Sequence, residues 1–309
     1  MLANFFNKSK PINFIIIVAL FFLYFILASY QQFDSTISIG LFLVNKTGAF
    51  FAFLCLFFFF NFIVSKNNLT FDNTYAFLFF VIFLGLFPNT ISITKVFFSN
   101  FVLFLFLRKV YSLRKPKATI QKLFDGGFWL GIAFLIDPLS FIFLTLFYVS
   151  ILLFHKITIQ TLLTPIIGLL VPIFLYFTYC FWNDLISDFQ QLFFSISLND
   201  FYSLNNSKQL FSIVLLGIFT LFFILIKTPK ALSVSNSFKK TWILILLHLI
   251  ITTICLFFFT KASNENRIVY LLFPIAIIFA NGIEIIQKKW IKEIVLLLFL
   301  ISSFAVHFL

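Results

Sequence analysis

Long apolar runs alternate with short polar segments along the whole chain. A helix that crosses a bilayer needs roughly 20 apolar residues, and fewer where protein surrounds it. The pattern therefore predicts an all-α integral membrane protein with about 11 transmembrane helices, arranged as one polytopic domain over residues 1–309. The predicted spans are 11–30, 47–64, 74–87, 92–107, 122–136, 139–154, 157–182, 210–225, 242–260, 268–285 and 294–308.

Two places in this pattern predict short paired helices, over residues 74–107 and 122–154. Pro88 and Asn89 supply the turn in the first pair. In the second, Asp137 and Pro138 interrupt an apolar run, which is compatible with one kinked helix or with two short helices that meet there. The distribution of charge decides between these two possibilities.

The cations lie mainly in loops, and six of the 22 Lys and Arg residues fall between positions 107 and 124. Short loops rich in Lys and Arg stay on the cytoplasmic side of a membrane. We expect three segments on that side, namely this loop, His155-Lys156 and the loop 227–240. The chain must then cross the membrane twice between residues 122 and 154. The N-terminus is then cytoplasmic, and only five cations lie outside: Lys46, Lys95, Lys208, Lys261 and Arg267.

The composition excludes several other classes of protein. Hydrophobic residues make up 62% of the chain and charged residues 10%, against roughly 25% charged in soluble domains. The net charge of +12 is explained by orientation in a lipid bilayer, so no nucleic-acid partner is expected. Cys55, Cys180 and Cys255 are isolated, which predicts neither a metal site nor a disulfide framework. The expected location is the bacterial inner membrane, and no motif indicates a cofactor.

Polar residues at the predicted outer ends of the spans are the candidates for function, because charges in or beside a bilayer are costly. Asp34 is the candidate catalytic base, with a solvated loop charge as the alternative interpretation of this residue. The candidate substrate contacts are Lys95, Asp137, Lys261, Glu265 and Arg267. A carboxylate near several cations suits a phosphate-bearing substrate whose acceptor needs a base.

Each of the two most informative candidates also has a structural explanation. Asp137 and Pro138 are favoured residues for capping and starting a helix, so Asp137 either caps the second short helix or contacts substrate, or both. Arg267 either binds phosphate through its fork of N–H groups or anchors a helix end, where Glu265 can pair with it. Gly127 and Gly131 are four residues apart, which predicts close helix packing rather than a ligand site.

Surface helices are predicted at two outer positions. Leu185, Phe189, Leu192 and Phe193 recur at helical spacing, which is typical of an amphipathic helix on a membrane surface. The shorter stretch 37–44 predicts a similar element after the first span.

Two stretches carry a family resemblance, and they read LFDGGFWLGIAFLIDPLSF at 123–141 and PIIGLLVP at 165–172. They resemble an uncharacterised family of polytopic membrane proteins of Bacteroidota, over nearly the whole chain. The layout is also similar to the GT-C superfamily of integral-membrane glycosyltransferases, in which an acidic residue and a surface helix follow the first span. Asp34, residues 37–44 and residues 127–138 occupy the comparable positions.

The GT-C resemblance implies an enzyme that uses a polyprenyl-phosphate sugar donor at an outward-facing site. The residues alone leave two alternatives open, a transporter or a non-catalytic subunit of a larger membrane complex with unknown protein partners. A transporter would more often place its polar residues near the middle of the bilayer. Here they gather at the predicted outer helix ends.

Overall fold

The computed structural model describes residues 2–32, 38–194, 207–234, 236–259 and 265–308, and every regular element in these ranges is helical. Three short 3₁₀ turns, Pro88–Thr90, Pro138–Ile142 and Glu265–Ile268, lie between α-helices. The α-helices are α1 (Leu2–Phe5), α2 (Pro11–Gln31), α3 (Ile39–Lys66), α4 (Tyr75–Leu86), α5 (Lys95–Ser112), α6 (Thr119–Ile136), α7 (Phe143–Phe154), α8 (Ile159–Trp182), α9 (Ile186–Phe194), α10 (Ser207–Leu232), α11 (Asn236–Phe259), α12 (Val269–Ile285) and α13 (Lys289–Phe308).

Seven helices of the described ranges are long and apolar enough to cross a membrane, namely α2, α3, α8, α10, α11, α12 and α13. Each of the predicted spans overlaps an α-helix of the structure. Two of these helices, α4 and α7, are apolar but too short to be counted among the seven. The all-α membrane prediction is therefore confirmed. The total of eleven crossings and their orientation stay predictions.

The chain divides into two compact units, each built from separate stretches of sequence. Unit 1 comprises Met1–Ile93, Leu204–Ser233 and Leu271–Leu309. Unit 2 comprises Thr94–Ser203 and Val234–Tyr270. The organisation of the chain as one transmembrane domain stays a prediction.

Helix α4 forms the centre of unit 1, since all of its residues are buried. Its twelve residues rise only about 18 Å, less than the thickness of a bilayer core, and they are apolar on every side. Such a helix has to be surrounded by protein, and α2, α3 and α13 contact it. Aromatic rings fill the contacts, as where Phe60 stacks on Phe80 with ring centroids 4.3 Å apart.

In unit 2, α6 and α8 cross at glycines. A Cβ added to Gly127 would overlap the Pro165 carbonyl, and one added to Gly168 would overlap the Phe124 carbonyl. Gly131 approaches the Leu169 carbonyl in the same way. The packing role predicted for Gly127 and Gly131 is confirmed, because any side chain at these positions would force the two backbones apart.

The stretch 122–154 folds as two helices rather than one kinked helix. Asp137 has an extended backbone conformation, φ −134° and ψ 105°, which ends α6. The ring of Phe147 in α7 lies 2.6 Å from the Cβ position of Gly126 in α6. In one continuous helix these two residues would be roughly 31 Å apart, because each residue adds 1.5 Å. The two helices therefore run back along each other.

Three basic segments of unit 2 meet at one end of it, called here the basic end. His155 Nε2 lies 2.8 Å from the Leu113 carbonyl, and Arg114 Nε donates to Ser237 Oγ at 2.6 Å. These contacts join the loop after α5, the end of α7 and the start of α11. The sequence predicted that these loops lie on the same side of the membrane. In the structure they lie at the same end of unit 2.

Of the two predicted surface helices, the one at 37–44 is wrong and the one at 185–193 is helical as expected. Residues 39–44 do not form a separate helix, because α3 runs without a break from Ile39 to Lys66. No proline interrupts it, and Gly40 and Gly48 continue the helix. The stretch 185–193 falls largely within α9, whose Phe189 packs on Phe177 with ring centroids 5.2 Å apart.

Candidate functional site

The candidate site lies in unit 2, at the break between α6 and α7. Asp137 ends α6, and its side chain accepts a hydrogen bond from the Leu139 N–H at 3.4 Å. Pro138 occupies the first position of the following 3₁₀ turn, where its missing N–H costs nothing. The predicted capping role of Asp137 is therefore confirmed, with a 3₁₀ turn in place of the expected α-helical turn.

The Asp137 carboxylate also accepts hydrogen bonds from two side chains that are distant in sequence. Arg267 donates from Nε to Oδ2 at 3.2 Å and from Nη2 to Oδ1 at 3.0 Å, which is the bidentate fork geometry. Tyr270 donates its hydroxyl to Oδ2 at 2.9 Å. The Asp137 side chain is only 3% exposed and that of Arg267 is 15% exposed.

Local structure explains why Arg267 and Tyr270 act together. Arg267 lies in the turn Glu265–Ile268, and Tyr270 follows in the first turn of α12. Residues three apart on a helical path share a face, so both side chains reach the same carboxylate. The ring of Phe143 lies 5.9 Å from that of Tyr270 and closes the apolar side of the cluster.

This arrangement restricts what each residue can do chemically. Both oxygens of Asp137 are occupied by donors, so this carboxylate orients Arg267 rather than accepting a proton from a substrate. The fork uses Nε and Nη2 of Arg267, so Nη1 takes no part in it. A guanidinium held by one anion through one edge can still contact a second anion through the other nitrogen.

Lys95 lies at the same end of unit 2 as Asp137. It is exposed and begins α5, which Thr94 caps by accepting a hydrogen bond from the Phe97 N–H at 3.3 Å. One turn further on, Ser99 lies 3.5 Å from the Ala133 carbonyl near the end of α6. Helix α5 also contacts the turn that carries Arg267. The end of unit 2 with Lys95, Asp137 and Arg267 is called here the Asp137 end.

Three other predicted site residues are not fully described by the structure. Asp34 and Lys261 lie outside the described residues. Glu265 begins the 3₁₀ turn of Arg267, but its side chain is not described. That Asp34 shares one site with the cations Lys95, Lys261 and Arg267 therefore stays a prediction.

A second buried charge cluster, in unit 1, was missed by the sequence reasoning. Glu284 Oε1 accepts hydrogen bonds from the Phe71 N–H at 3.0 Å and from Asn73 Nδ2 at 2.6 Å. Its Oε2 lies 4.0 Å from Lys227 Nζ, and both side chains are under 10% exposed. The sequence did contain an indication of this cluster, because Glu284 lies inside the predicted span 268–285. A carboxylate within a span is costly and often functional.

The helices and these clusters define a multi-pass helical membrane protein with an internally paired charge site. The chain belongs to a family of unknown function, DUF6427, and the match covers residues 1–309. No curated protein and no solved structure matches the chain. The resemblance to an uncharacterised family agrees with this finding, and the similarity to the GT-C superfamily stays a prediction.

Proposed function

We propose that the protein is a glycosyltransferase-like enzyme of the bacterial inner membrane that uses a polyprenyl-phosphate sugar donor. The bidentate pairing of Asp137 with Arg267 is the observation that carries this proposal. It supports a phosphate site because it holds a guanidinium in a fixed orientation near the break between α6 and α7, at the same end of unit 2 as the exposed Lys95. Fixed cations of this kind stabilise the charge of a leaving phosphate without reorganising.

In this proposal Arg267 contacts the donor phosphate and Asp137 positions Arg267. The 15% exposure of the Arg267 side chain leaves it within reach of a ligand, while Asp137, itself held by the Tyr270 hydroxyl, fixes its other edge. Lys95 adds a second positive charge at the N-terminus of α5, where the helix dipole also favours anions. Lys261 and Glu265, close to Arg267 in sequence, are the further proposed substrate contacts.

Asp34 is the proposed catalytic base that would activate the acceptor hydroxyl. This role comes from the sequence, since Asp34 follows the first predicted span and matches the acidic position of the GT-C layout. A positioned carboxylate base contributes roughly 100-fold to 10,000-fold to a rate.

A second candidate function is that of a non-catalytic membrane subunit. The observation in its favour is that Asp137 receives donors at both oxygens and is 3% exposed, so the pair needs no ligand to be satisfied. Buried polar groups that satisfy each other are also found where they only specify a fold.

Ligand binding separates the two candidates. Purified full-length protein in detergent is titrated with farnesyl phosphate and with farnesol, a pair that differs only in the phosphate. The enzyme proposal expects a preference for farnesyl phosphate and a loss of about tenfold in Arg267→Lys, because Lys cannot both keep the fork and contact phosphate. Arg114→Lys makes the same change at the basic end and should bind as the unaltered protein does.

The result that contradicts the enzyme proposal is equal binding of the two compounds, which the subunit candidate expects. Unaltered affinity in Arg267→Lys would equally reject Arg267 as the phosphate contact. Thermal unfolding of both variants shows whether a lost affinity comes from lost structure.

A further inference from the structure

A cleft of about 640 Å³ lies within unit 1, between the start of α2, the end of α3 and the segment that follows α3. This volume is within the range of roughly 300–1,000 Å³ typical of ligand pockets. One part of its wall is apolar and includes Phe14, Ile15 and Val64. The other part is polar and includes Asn61, Asp72 and Asn73.

The cleft lies at the ends of two membrane-spanning helices. Lys10 immediately precedes α2 and Lys66 is the last residue of α3, so the cleft is at the predicted cytoplasmic interface. The Ile15 side chain in its wall is 64% exposed, which indicates that the cleft opens toward lipid. Its apolar part is therefore at the depth of acyl chains and its polar part at the depth of headgroups.

The charges around the polar part have a defined order. Among the described residues that line the cleft, Asp72 is the one acidic side chain, and it accepts a hydrogen bond from the Ser9 hydroxyl. Exposed lysines flank the lining residues in sequence, with Lys8 and Lys10 on either side of Ser9 and Lys66 beside Ser65. A negative charge in the lining, with lysines next to lining residues in sequence, complements a zwitterion that carries both an ammonium and a phosphate group.

Two side chains of α12 hold the polar wall of the cleft in place. The buried carboxylate of Glu284 binds the Phe71 N–H and Asn73 Nδ2, and Asn281 Nδ2 donates to the Leu69 carbonyl at 2.9 Å. These contacts fix the segment on which Asp72 is carried before any ligand arrives. A site that is preorganised in this way avoids the cost of ordering a loop on binding.

We propose that this cleft binds the headgroup of a phospholipid with a primary ammonium group. The ammonium donates hydrogen bonds to Asp72, the phosphate contacts the flanking lysines, and an acyl chain lies along Phe14 and Ile15. A quaternary ammonium headgroup has no N–H to donate, and an anionic headgroup would place negative charge against Asp72. The proposal does not depend on the enzymatic function proposed above.

Native mass spectrometry of the full chain tests this site. The protein is purified in a mild detergent and mixed with equal amounts of phosphatidylethanolamine, phosphatidylcholine and phosphatidylglycerol of the same acyl chains, and the retained lipid is quantified. We expect phosphatidylethanolamine to be retained about tenfold over the other two, the ratio that one charge-assisted hydrogen bond provides. Asp72→Asn should remove this preference and Asp72→Glu should largely keep it.

Asp188→Asn, at an exposed position of α9, is the matched control and should retain lipids as the unaltered protein does. Thermal unfolding of each variant confirms that the protein is folded. Preferential retention of phosphatidylglycerol would overturn the proposal, as would equal retention of phosphatidylcholine. A preference for phosphatidylethanolamine that survives Asp72→Asn would show that the lipid binds elsewhere and would also overturn it.

Discussion

Removal of the Asp137 carboxylate should destabilise the protein far more than removal of an exposed one. Asp137→Ala leaves the Arg267 guanidinium without its anionic partner and the Tyr270 hydroxyl without its acceptor. Breaking a buried ion pair by deleting one partner costs roughly 3–5 kcal/mol. Because the Arg267 side chain is 15% exposed and can reach some water, we expect the lower end, about 3 kcal/mol.

A double-mutant cycle separates the pair from its surroundings. Replacing both residues by apolar ones, Asp137→Leu with Arg267→Met, removes both charges at once, so it should cost less than Asp137→Leu alone. We expect an interaction energy of about 2 kcal/mol, within the range of directly contacting residues. The comparison distinguishes a strongly coupled pair from two side chains that contribute independently.

The ion pair of Lys109 with Asp125 supplies the matched control in the same unit. Its atoms are closer, at 2.6 Å, but the two side chains are 23% and 31% exposed. Ion pairs near the surface contribute roughly 0–1 kcal/mol, and this pair is half-buried, so Asp125→Ala should change the free energy of unfolding by about 1 kcal/mol. The comparison therefore tests burial rather than distance.

Reversible unfolding in mixed micelles of a mild detergent and dodecyl sulfate gives the free energies of unfolding for all these variants. A cost for Asp137→Ala no larger than that for Asp125→Ala would refute the reasoning. So would a double variant whose loss equals the sum of the two single losses.

Three further predictions follow from packing and topology. Gly127→Ala should lose roughly 1–3 kcal/mol in the same unfolding assay, because its Cβ overlaps a carbonyl of α8, whereas Gly217→Ala, whose Cβ meets nothing within 4 Å, should not be destabilised. Glu284→Ala should increase hydrogen exchange in the loop between α3 and α4, since its carboxylate binds that loop; unchanged exchange would show that the loop is held otherwise. In a cysteine-free background, Lys95→Cys and Lys115→Cys should be labelled from opposite sides of the membrane, and labelling from one side would reject the predicted orientation.

The sequence predicted the elements of unit 2 better than it predicted their partners. The apolar runs located the helices, and Asp137 with Pro138 located the break between α6 and α7. The sequence did not indicate that Asp137 pairs with Arg267, because 130 residues separate them and several charges at predicted outer ends were equally plausible partners. Glu265 was the partner suggested by proximity along the chain. Tyr270 could have been recognised from its position three residues after Arg267.

The errors in unit 1 have a similar physical origin. A separate helix at 37–44 was expected because the second span was predicted to begin only at residue 47. No proline or other helix-breaking residue separates the two stretches, and α3 runs continuously from Ile39. Glu284 was overlooked because it is near the end of an apolar run. Its hydrogen bonds to the loop before α4 depend on tertiary structure and are not encoded in any local pattern.

Consumption of a polyprenyl-phosphate sugar donor tests the proposed enzymatic function most directly. Membrane vesicles that contain the full chain are incubated with a panel of radiolabelled polyprenyl-phosphate hexoses, and transfer of label is compared with vesicles lacking the chain. We expect transfer from at least one donor, reduced at least about 100-fold in Asp34→Asn because a catalytic base contributes that much. No transfer above that of vesicles lacking the chain, or equal transfer in Asp34→Asn, would contradict the proposed enzyme.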